Sequence, residues 1–494
     1  MIRIPVFPVG QQIFEGCSVT VNQRNVKPYL ARVSAMPFNR GWPGHQRPLE
    51  QTELAGFVSL EADEAVTMRV TWQVPPTAVV VRPLSRGVQA LVEGCTATFT
   101  LPGCGQYTIE ADGHHGALHV FVNPIKQTDG LRTTYRFAGG EHHIGSIELT
   151  DNDTVYIDAG AVVYGSFYAI CAENIRILGH GIIDGSTEER GDDTSLLAYS
   201  YDAPIPRDKQ GVRAFLHARR VLRGNLRFYR CRNVYVEGVV CRDSASFSII
   251  AAGCENVSID NVKCVGMWRY NSDGIDLFNC TGVSVKNCFL RNFDDCMVIK
   301  GICGWDDAPN RNITVEKCVL WCDWGRALEI GAETNAPTFY NISFSDCDVI
   351  HGSTMQLDIQ HHNRAEIHHV VFENIRAEYT QYQQSDVHQQ SEEQEYRSSV
   401  PAQQPILMNV ALYDMGLFSK DGKHGCVHDV LFKDIYVLTD APLPMPVSIF
   451  AGLDEAHSVK GVRVEGLYFN GERVTECEKA NFVIGAHAYD ISLC

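Results

Sequence analysis

A short apolar–polar–apolar triplet recurs through most of the chain at nearly constant spacing, and few folds are compatible with that pattern. It reads Ile175-Arg176-Ile177, Val234-Tyr235-Val236, Val257-Ser258-Ile259, Val283-Ser284-Val285, Ile313-Thr314-Val315 and Ile342-Ser343-Phe344. Val370-Val371-Phe372, Val430-Leu431-Phe432 and Val462-Arg463-Val464 continue the series. From Val234 to Val370 the steps are 23, 26, 30, 29 and 28 residues. These steps are too long for hairpins and too regular for unrelated loops, and they match the spacing of a solenoid. Alternation points every second side chain inward, and stacked coils bury what no coil could bury alone. The chain is therefore read as all-β, with a parallel β-helix over residues 140–494 whose coils stack at about 4.8 Å.

Cysteine placement supports that register. Cys231, Cys254 and Cys280 each lie three residues before a triplet, and Cys288, Cys318 and Cys347 each lie five residues after the start of one. Equivalent positions stack into columns, so buried thiols acting as small hydrophobes are expected rather than a metal site. No metal ligand set and no cofactor is implied.

Residues 1–125 differ. Segments such as Ala65-Val66-Thr67-Met68-Arg69-Val70 and Ala117-Leu118-His119-Val120-Phe121-Val122 alternate between Pro/Gly-rich turns, as in an antiparallel β-sandwich. Residues 126–139 read as a linker. Two stretches lengthen the solenoid step, 187–222 and 376–405, giving 59 residues from Ile175 to Val234 and 60 from Val370 to Val430. Each is about two coils' worth, so either a surface excursion or a hidden coil with a loop would fit.

The chemistry gathers at Asn271-Ser272-Asp273-Gly274 and Phe293-Asp294-Asp295-Cys296. Asp273 and Asp294 are 21 residues apart, about one coil, so the three carboxylates should meet in space. Clustered carboxylates divide into proton holders and ionised groups, the division that glycosidic bond cleavage requires.

A net charge of −17 argues against nucleic acid as a partner and weakens the case for an acidic polysaccharide. The start, Met1-Ile2-Arg3-Ile4-Pro5, lacks the apolar core of a signal peptide, and no segment approaches a membrane span. With 18 cysteines, a reducing cytoplasm is expected.

Asn271-Ser272-Asp273, followed by Asp294-Asp295-Cys296-Met297-Val298-Ile299-Lys300, resembles the Asn-Thr-Asp and Asp-Asp-Cys-x-x-Ile-Lys signatures of the polygalacturonase family. The resemblance is specific over about residues 230–350. It implies a right-handed parallel β-helix and an inverting glycoside hydrolase, with Asp294 as acid and Asp273 and Asp295 holding water. The related dextranase and isopullulanase family shares the three acids and places a β-sandwich before the helix. Two departures stand out. Gly325-Arg326-Ala327 replaces the family's Gly-His-Gly, and Gln356-Leu357-Asp358 replaces an Arg-x-Lys that would grip a uronate carboxylate. A Gly-His-Gly at 179–181 precedes the acids by several coils and reads as a turn.

An α-glucan-like neutral glycan is therefore expected rather than polygalacturonate, with the acidic-glycan hydrolase, a polysaccharide lyase or epimerase, and a noncatalytic carbohydrate-binding β-helix kept as alternatives. Candidate substrate-binding residues are Asn271, Lys300, Arg326, Glu329, Gln356 and Asp358. Lys300 and Arg326 are equally suited to tuning the acids. Glu329 is three residues beyond Arg326, so on a regular strand the two would point to opposite faces unless a bend intervenes. Trp268, Trp305 and Trp321 flank the acids and are candidates for stacking on sugar rings. His361 and His362, near Gln356 and Asp358, read as a solvated turn.

Overall fold

The computed structural model describes residues 1–35, 49–189, 204–219, 223–305, 308–380, 405–414, 418–419, 421–439 and 442–494. From Tyr135–Phe137 to Ala488–Leu493 the strands join in one continuous, almost wholly parallel ladder, each pairing with its counterpart one coil away. Parallel crossovers of this kind are right-handed. The first of these strands lies inside 126–139, so the solenoid begins within the stretch read as a linker.

The triplets occupy one column. Ile175 pairs with Val234, Val234 with Val257, Val257 with Val283, Val283 with Ile313, Ile313 with Ile342 and Ile342 with Val370. Val370 then pairs with Val430, Val430 with Val462 and Val462 with Ile491. Because Ile175 pairs directly with Val234 and Val370 with Val430, neither long step hides a coil on this face. Of these two stretches, 190–203, 220–222 and 381–404 lie outside the described residues. The described part of the first holds a helix, Lys209–Arg219. Asp208 caps it through a bond from Gly211 N (2.9 Å), and Val212 and Leu216, one turn apart, are buried against the solenoid.

Inside the helix the columns are apolar. Phe344, Phe372 and Phe432 stack with centroids 4.8 and 4.9 Å apart, the spacing of adjacent strands. The cysteine columns form as expected. Cys231 N donates to Cys254 Sγ (3.3 Å), Cys254 also meets Cys280, and Cys318 sits between Cys288 and Cys347. All 18 cysteines are free.

The residue just before each triplet turns through the left-handed region. Asn174, Asn233, Asn256, Asn312 and Asn341 have φ between 55° and 61° there, and Gly282 fills the same position at 70°. Asparagine tolerates this conformation, and its amide donates to the preceding coil. Bonds run from Asn174 to Asn152 (3.0 Å), Asn233 to Asn174 (3.0 Å), Asn256 to Asn233 (3.2 Å) and Asn341 to Asn312 (2.7 Å).

The described residues of 1–123 form two facing sheets around a separate core. The sandwich is not wholly antiparallel as expected: Leu118–Asn123, the last strand, lies parallel to Thr52–Ala62. It enters the sheet as the second strand of a hairpin with Gly105–Ala111, and the long run of chain separating it from Thr52–Ala62 permits the parallel direction there. The sandwich packs Tyr29, Phe57 and Phe121 on Val265, Phe289 and Trp321 of the solenoid. Beneath this apolar contact, Arg82 bridges Glu110 (2.7 Å) and Glu378, and Glu110 also holds His351. His180 of the Gly-His-Gly turn likewise binds Glu61 of the sandwich (2.7 Å), so that motif serves the seam.

Candidate active site

The three expected acids meet on one side of the solenoid, at the turns preceding Ile275–Phe278 and Met297–Gly301. Backbone bonds fasten these turns to each other: Gly274 N donates to Asp295 O (2.8 Å), Ile275 N to Cys296 O (2.9 Å) and Cys296 N to Arg326 O (2.8 Å). Asn292 Nδ2 closes the Asp273 turn through Ser272 O (3.0 Å). Gly325 lies so close that a Cβ there would stand 2.5 Å from both Asp295 N and Asp295 Oδ1, so no larger residue fits. Asn271 sits in the same turn with φ 52°, two residues ahead of Asp273.

Lys300 points into the acids. Its Nζ lies 3.0 Å from Asp273, 3.4 Å from Asp276 and 3.4 Å from Asp295. Arg326 closes the other side, 3.8 Å from Asp295, 4.0 Å from Glu329 and 3.5 Å from Asp358, while its backbone N–H donates to Asp295 Oδ1 (3.1 Å). The bend that the Arg326–Glu329 step required is present. Ala327 and Leu328 both enter the core, which shifts the alternation by one and brings Arg326 and Glu329 to the same outer face. Register then aligns Val298, Glu329, Asp358 and Asn409 in one outward column. Asn409 Nδ2 donates to Asp358 Oδ1 (2.7 Å), and Tyr413 to Asn409 Oδ1 (3.2 Å).

Five buried carboxyls, from Asp273, Asp276, Asp295, Glu329 and Asp358, thus share two cations in ion-pair contact, and the buried Asp294 stands beside them. Several must keep their protons, because unpaired buried charge is costly. Burial, followed by the charges of Asp273 and Asp295, raises Asp294 well above the carboxylate range. Burial also acts to raise Asp295, but Lys300 and Arg326 outweigh it and hold this group below its ordinary value. Burial pushes Asp273 up to about 7 against the pull of Lys300, and Asp358 to about 7 against Arg326. Asp276 is raised well above its usual range by burial and then by Asp273. The arrangement supplies a proton donor at Asp294 and an ionised acceptor at Asp295 side by side.

Other expected residues fall differently. Trp268 lies in the wall, its Nε1 donating to Asp243 Oδ1 (3.0 Å), with Arg269 over the ring. Trp305 and Trp321 are fully buried and cannot meet a sugar. Trp305 packs against Tyr229 and Arg230 in the core beneath the helix; Trp321 lies in the sandwich seam under Arg291 (3.7 Å). Gln356 is wholly buried on the strand that carries Asp358. His361 and His362 are buried rather than in a solvated turn: His361 binds Thr334 (2.7 Å) and His362 binds Gln360 (3.0 Å) and stacks on Tyr413. The sequence reading missed Asp276, Asn409, Trp324 and Tyr270. Asp276 stands between the core residues Ile275 and Leu277, so alternation alone places it outward beside the acids. Trp324, half-buried beside Gly325, stacks parallel on Phe293 (5.5 Å, 3°) next to Tyr270. A cavity of about 590 Å³ lies elsewhere, at the domain seam around Gln106, Asn261 and Arg376.

Residues 173–417, about half of the chain, match the family model "Glycosyl hydrolases family 28". The chain belongs with the polygalacturonase-like glycoside hydrolases. An exopolygalacturonase of Arabidopsis thaliana is 28% identical over 109 residues, 22% of this chain and 24% of the relative. A dextranase of an Arthrobacter species is 21% identical over 216 residues, 42% of this chain and 30% of the relative. The chain thus spans about a quarter to a third of the length of these two relatives. Dex49A from Penicillium minioluteum shares the fold over the whole chain and 96% of its own, with a TM-score of 0.63 at 13% identity.

Proposed function

We propose that the chain hydrolyses a glycosidic bond with inversion, in a neutral, α-glucan-like poly- or oligosaccharide. The observation that carries this reading is the use of the site's two cations. Lys300 is held among Asp273, Asp276 and Asp295, and Arg326 among Asp295, Glu329 and Asp358. A uronate carboxylate placed there would find both cations already paired with carboxyls, and the ionised Asp295 beside them would repel it once desolvated. Hydroxyls suit the same surface, because carboxyls, Asn409 and Tyr413 offer both acceptors and donors.

In this reading Asp294 gives its proton to the leaving oxygen. Asp295, with Asp273, takes a proton from the water that attacks the anomeric carbon from the opposite face. The net reaction adds one water; Asp295 releases its proton to solvent and Asp294 regains one, which closes the cycle. Trp324 and Tyr270 offer aromatic surface beside the acids for the apolar face of a sugar ring. A reducing compartment suits the free cysteines.

The relatives named exopolygalacturonase favour an acidic glycan as the second reading. A panel of neutral and uronate oligosaccharides tests both. New reducing ends from a neutral α-glucan, lost in Asp294→Asn, are expected. Efficient cleavage of polygalacturonate alone would overturn the neutral assignment, an ultraviolet-absorbing unsaturated product would indicate a lyase, and binding without cleavage a noncatalytic solenoid.

A further inference from the structure

Beyond the acids, outward columns run along the solenoid, because alternation turns every second residue of a strand away from the core. One holds Glu329, Asp358 and Asn409. In the next, Gly331 pairs with Gln360 and Gln360 with Ala411. Ile299 pairs with Ile330, which places Lys300 at the head of this second column, among the acids. Gln360 is thus flanked by two residues with almost no side chain, and the column forms a trough leading away from Lys300. On the far side of Gln360 from Asp358 stands His362, its ring held between those of Tyr413 (5.2 Å) and Phe418 (5.0 Å).

Gln360 Nε2 donates to His362 Nε2 (3.0 Å). Burial, and then the charge of Arg326, lower His362 to about 4, so at pH 7 the ring is neutral and its one proton sits on Nδ1. Neither His362 Nδ1 nor Gln360 Oε1 has a hydrogen-bond partner among the described residues. The bonded pair therefore presents one open donor and one open acceptor. Turning the amide over exchanges these roles and still leaves one of each. Buried polar atoms without partners are rare and costly, so the pair calls for a ligand that both gives and takes a hydrogen bond. Gln360 is 6% exposed and Asp294 and Asp295 are 5% each, so the trough is closed in at Gln360 to the same degree as at the acids.

Two neighbouring sugar hydroxyls meet that demand, because each is donor and acceptor at once. A carboxylate only accepts, and would leave the open acceptor unfilled. The strand Met355–His361 lies two coils beyond Met297–Gly301, about 10 Å at the usual strand spacing. We infer that Gln360 and His362 form a subsite holding two adjacent hydroxyls of a neutral sugar ring, one that neighbours the ring being cleaved. The inference rests on the neutral-glycan reading above and extends it to a second ring.

Calorimetric titration of the neutral α-gluco-oligosaccharides of the panel, from di- to pentasaccharide, into Asp294→Asn tests it without turnover. Gln360→Leu and His362→Phe, each added to that background, conserve volume, and the second retains a ring between Tyr413 and Phe418. Each should weaken binding of the longer chains by about five- to tenfold, the worth of one hydrogen bond. Monodeoxy analogues separate contact from mere support. The Asp294→Asn chain should lose affinity when one particular hydroxyl is missing, and adding Gln360→Leu should make it indifferent to that deletion. Equal sensitivity to every deletion with and without Gln360→Leu would overturn the inference. Unchanged affinity in both variants would do the same, assigning the open atoms to ordered water. If binding depends on both residues while the parent chain cleaves no glycan, the subsite stands and the hydrolytic reading fails. If glycans are cleaved and neither variant alters binding, hydrolysis stands and the subsite fails. Failure to bind any neutral chain would overturn both.

Discussion

Replacing Lys300 with methionine removes the cation at the centre of the site and leaves most of its volume filled. Its Nζ lies 3.4 Å from Asp295 Oδ2. At an effective dielectric of 20, that single pair is worth about 5 kcal/mol in favour of the ionised carboxylate. A loss of this size is enough to reverse the balance that holds Asp295 below its ordinary range despite full burial. At neutral pH the base would then carry a proton, and turnover should fall by roughly 10²–10⁴-fold. Raising the pH should restore part of the activity as Asp295 ionises, until Asp294 gives up its own proton. The profile of kcat/KM against pH should therefore narrow and shift to the alkaline side. Stability should follow the same sign. Carboxyls whose folded pKa is raised favour the native state at low pH and oppose it as pH rises, so the variant's deficit should grow from pH 5 to pH 8. It should reach about 3–5 kcal/mol, the usual cost of leaving buried charge unpaired. An acidic limb unmoved from its position in the parent chain, at near-normal kcat, would refute the assignment of Lys300 as the group that ionises Asp295.

Asp294→Asn and Asp273→Asn should each lower kcat by roughly 10²–10⁴-fold, while calorimetric affinity for the substrate is kept in Asp294→Asn; near-normal turnover in both would sink the three-aspartate mechanism. At the seam, Glu110 is fully buried, yet His351 and Arg82 outweigh burial and hold it below the carboxylate range, so its contribution is present at neutral pH and lost on acidification. Glu110→Gln should cost about 3–5 kcal/mol in denaturant unfolding at pH 7, with a gap that narrows below about pH 4; an equal gap at both pH values would show that the ion pairs carry no weight there.

The solenoid was legible because two periods coincide: alternation within a triplet and a coil-length step between triplets. The same register brought Asp273, Asp294 and Asp295 together from spacing alone. What was not legible has physical causes. A step of 59 or 60 residues has the same length whether it hides a coil or a loop, and only the direct pairings of Ile175 with Val234 and Val370 with Val430 distinguish the two. Asn409 enters the site by pairing with Asp358, across an insertion that conceals its register. Trp305 and Trp321 belong to a residue type that serves cores and sugar sites equally well, and their neighbours in space come from distant segments. At Arg326 the alternation breaks because Ala327 and Leu328 both turn inward, which strand periodicity does not anticipate. The asparagine column was overlooked although each asparagine directly precedes its triplet, since left-handed turns leave no mark in a pattern of hydrophobicity.

The stereochemistry of the first-formed product tests the central claim most directly. Proton NMR of the anomeric region, recorded during the initial turnover of a neutral α-linked oligosaccharide, resolves the product anomer before mutarotation mixes the forms. Water attack supported by Asp295 and Asp273, opposite the proton given by Asp294, predicts the β-anomer first, with the α-form appearing only later. An α-anomer as the initial product would mean retention through a covalent intermediate, and would contradict the roles assigned to all three aspartates.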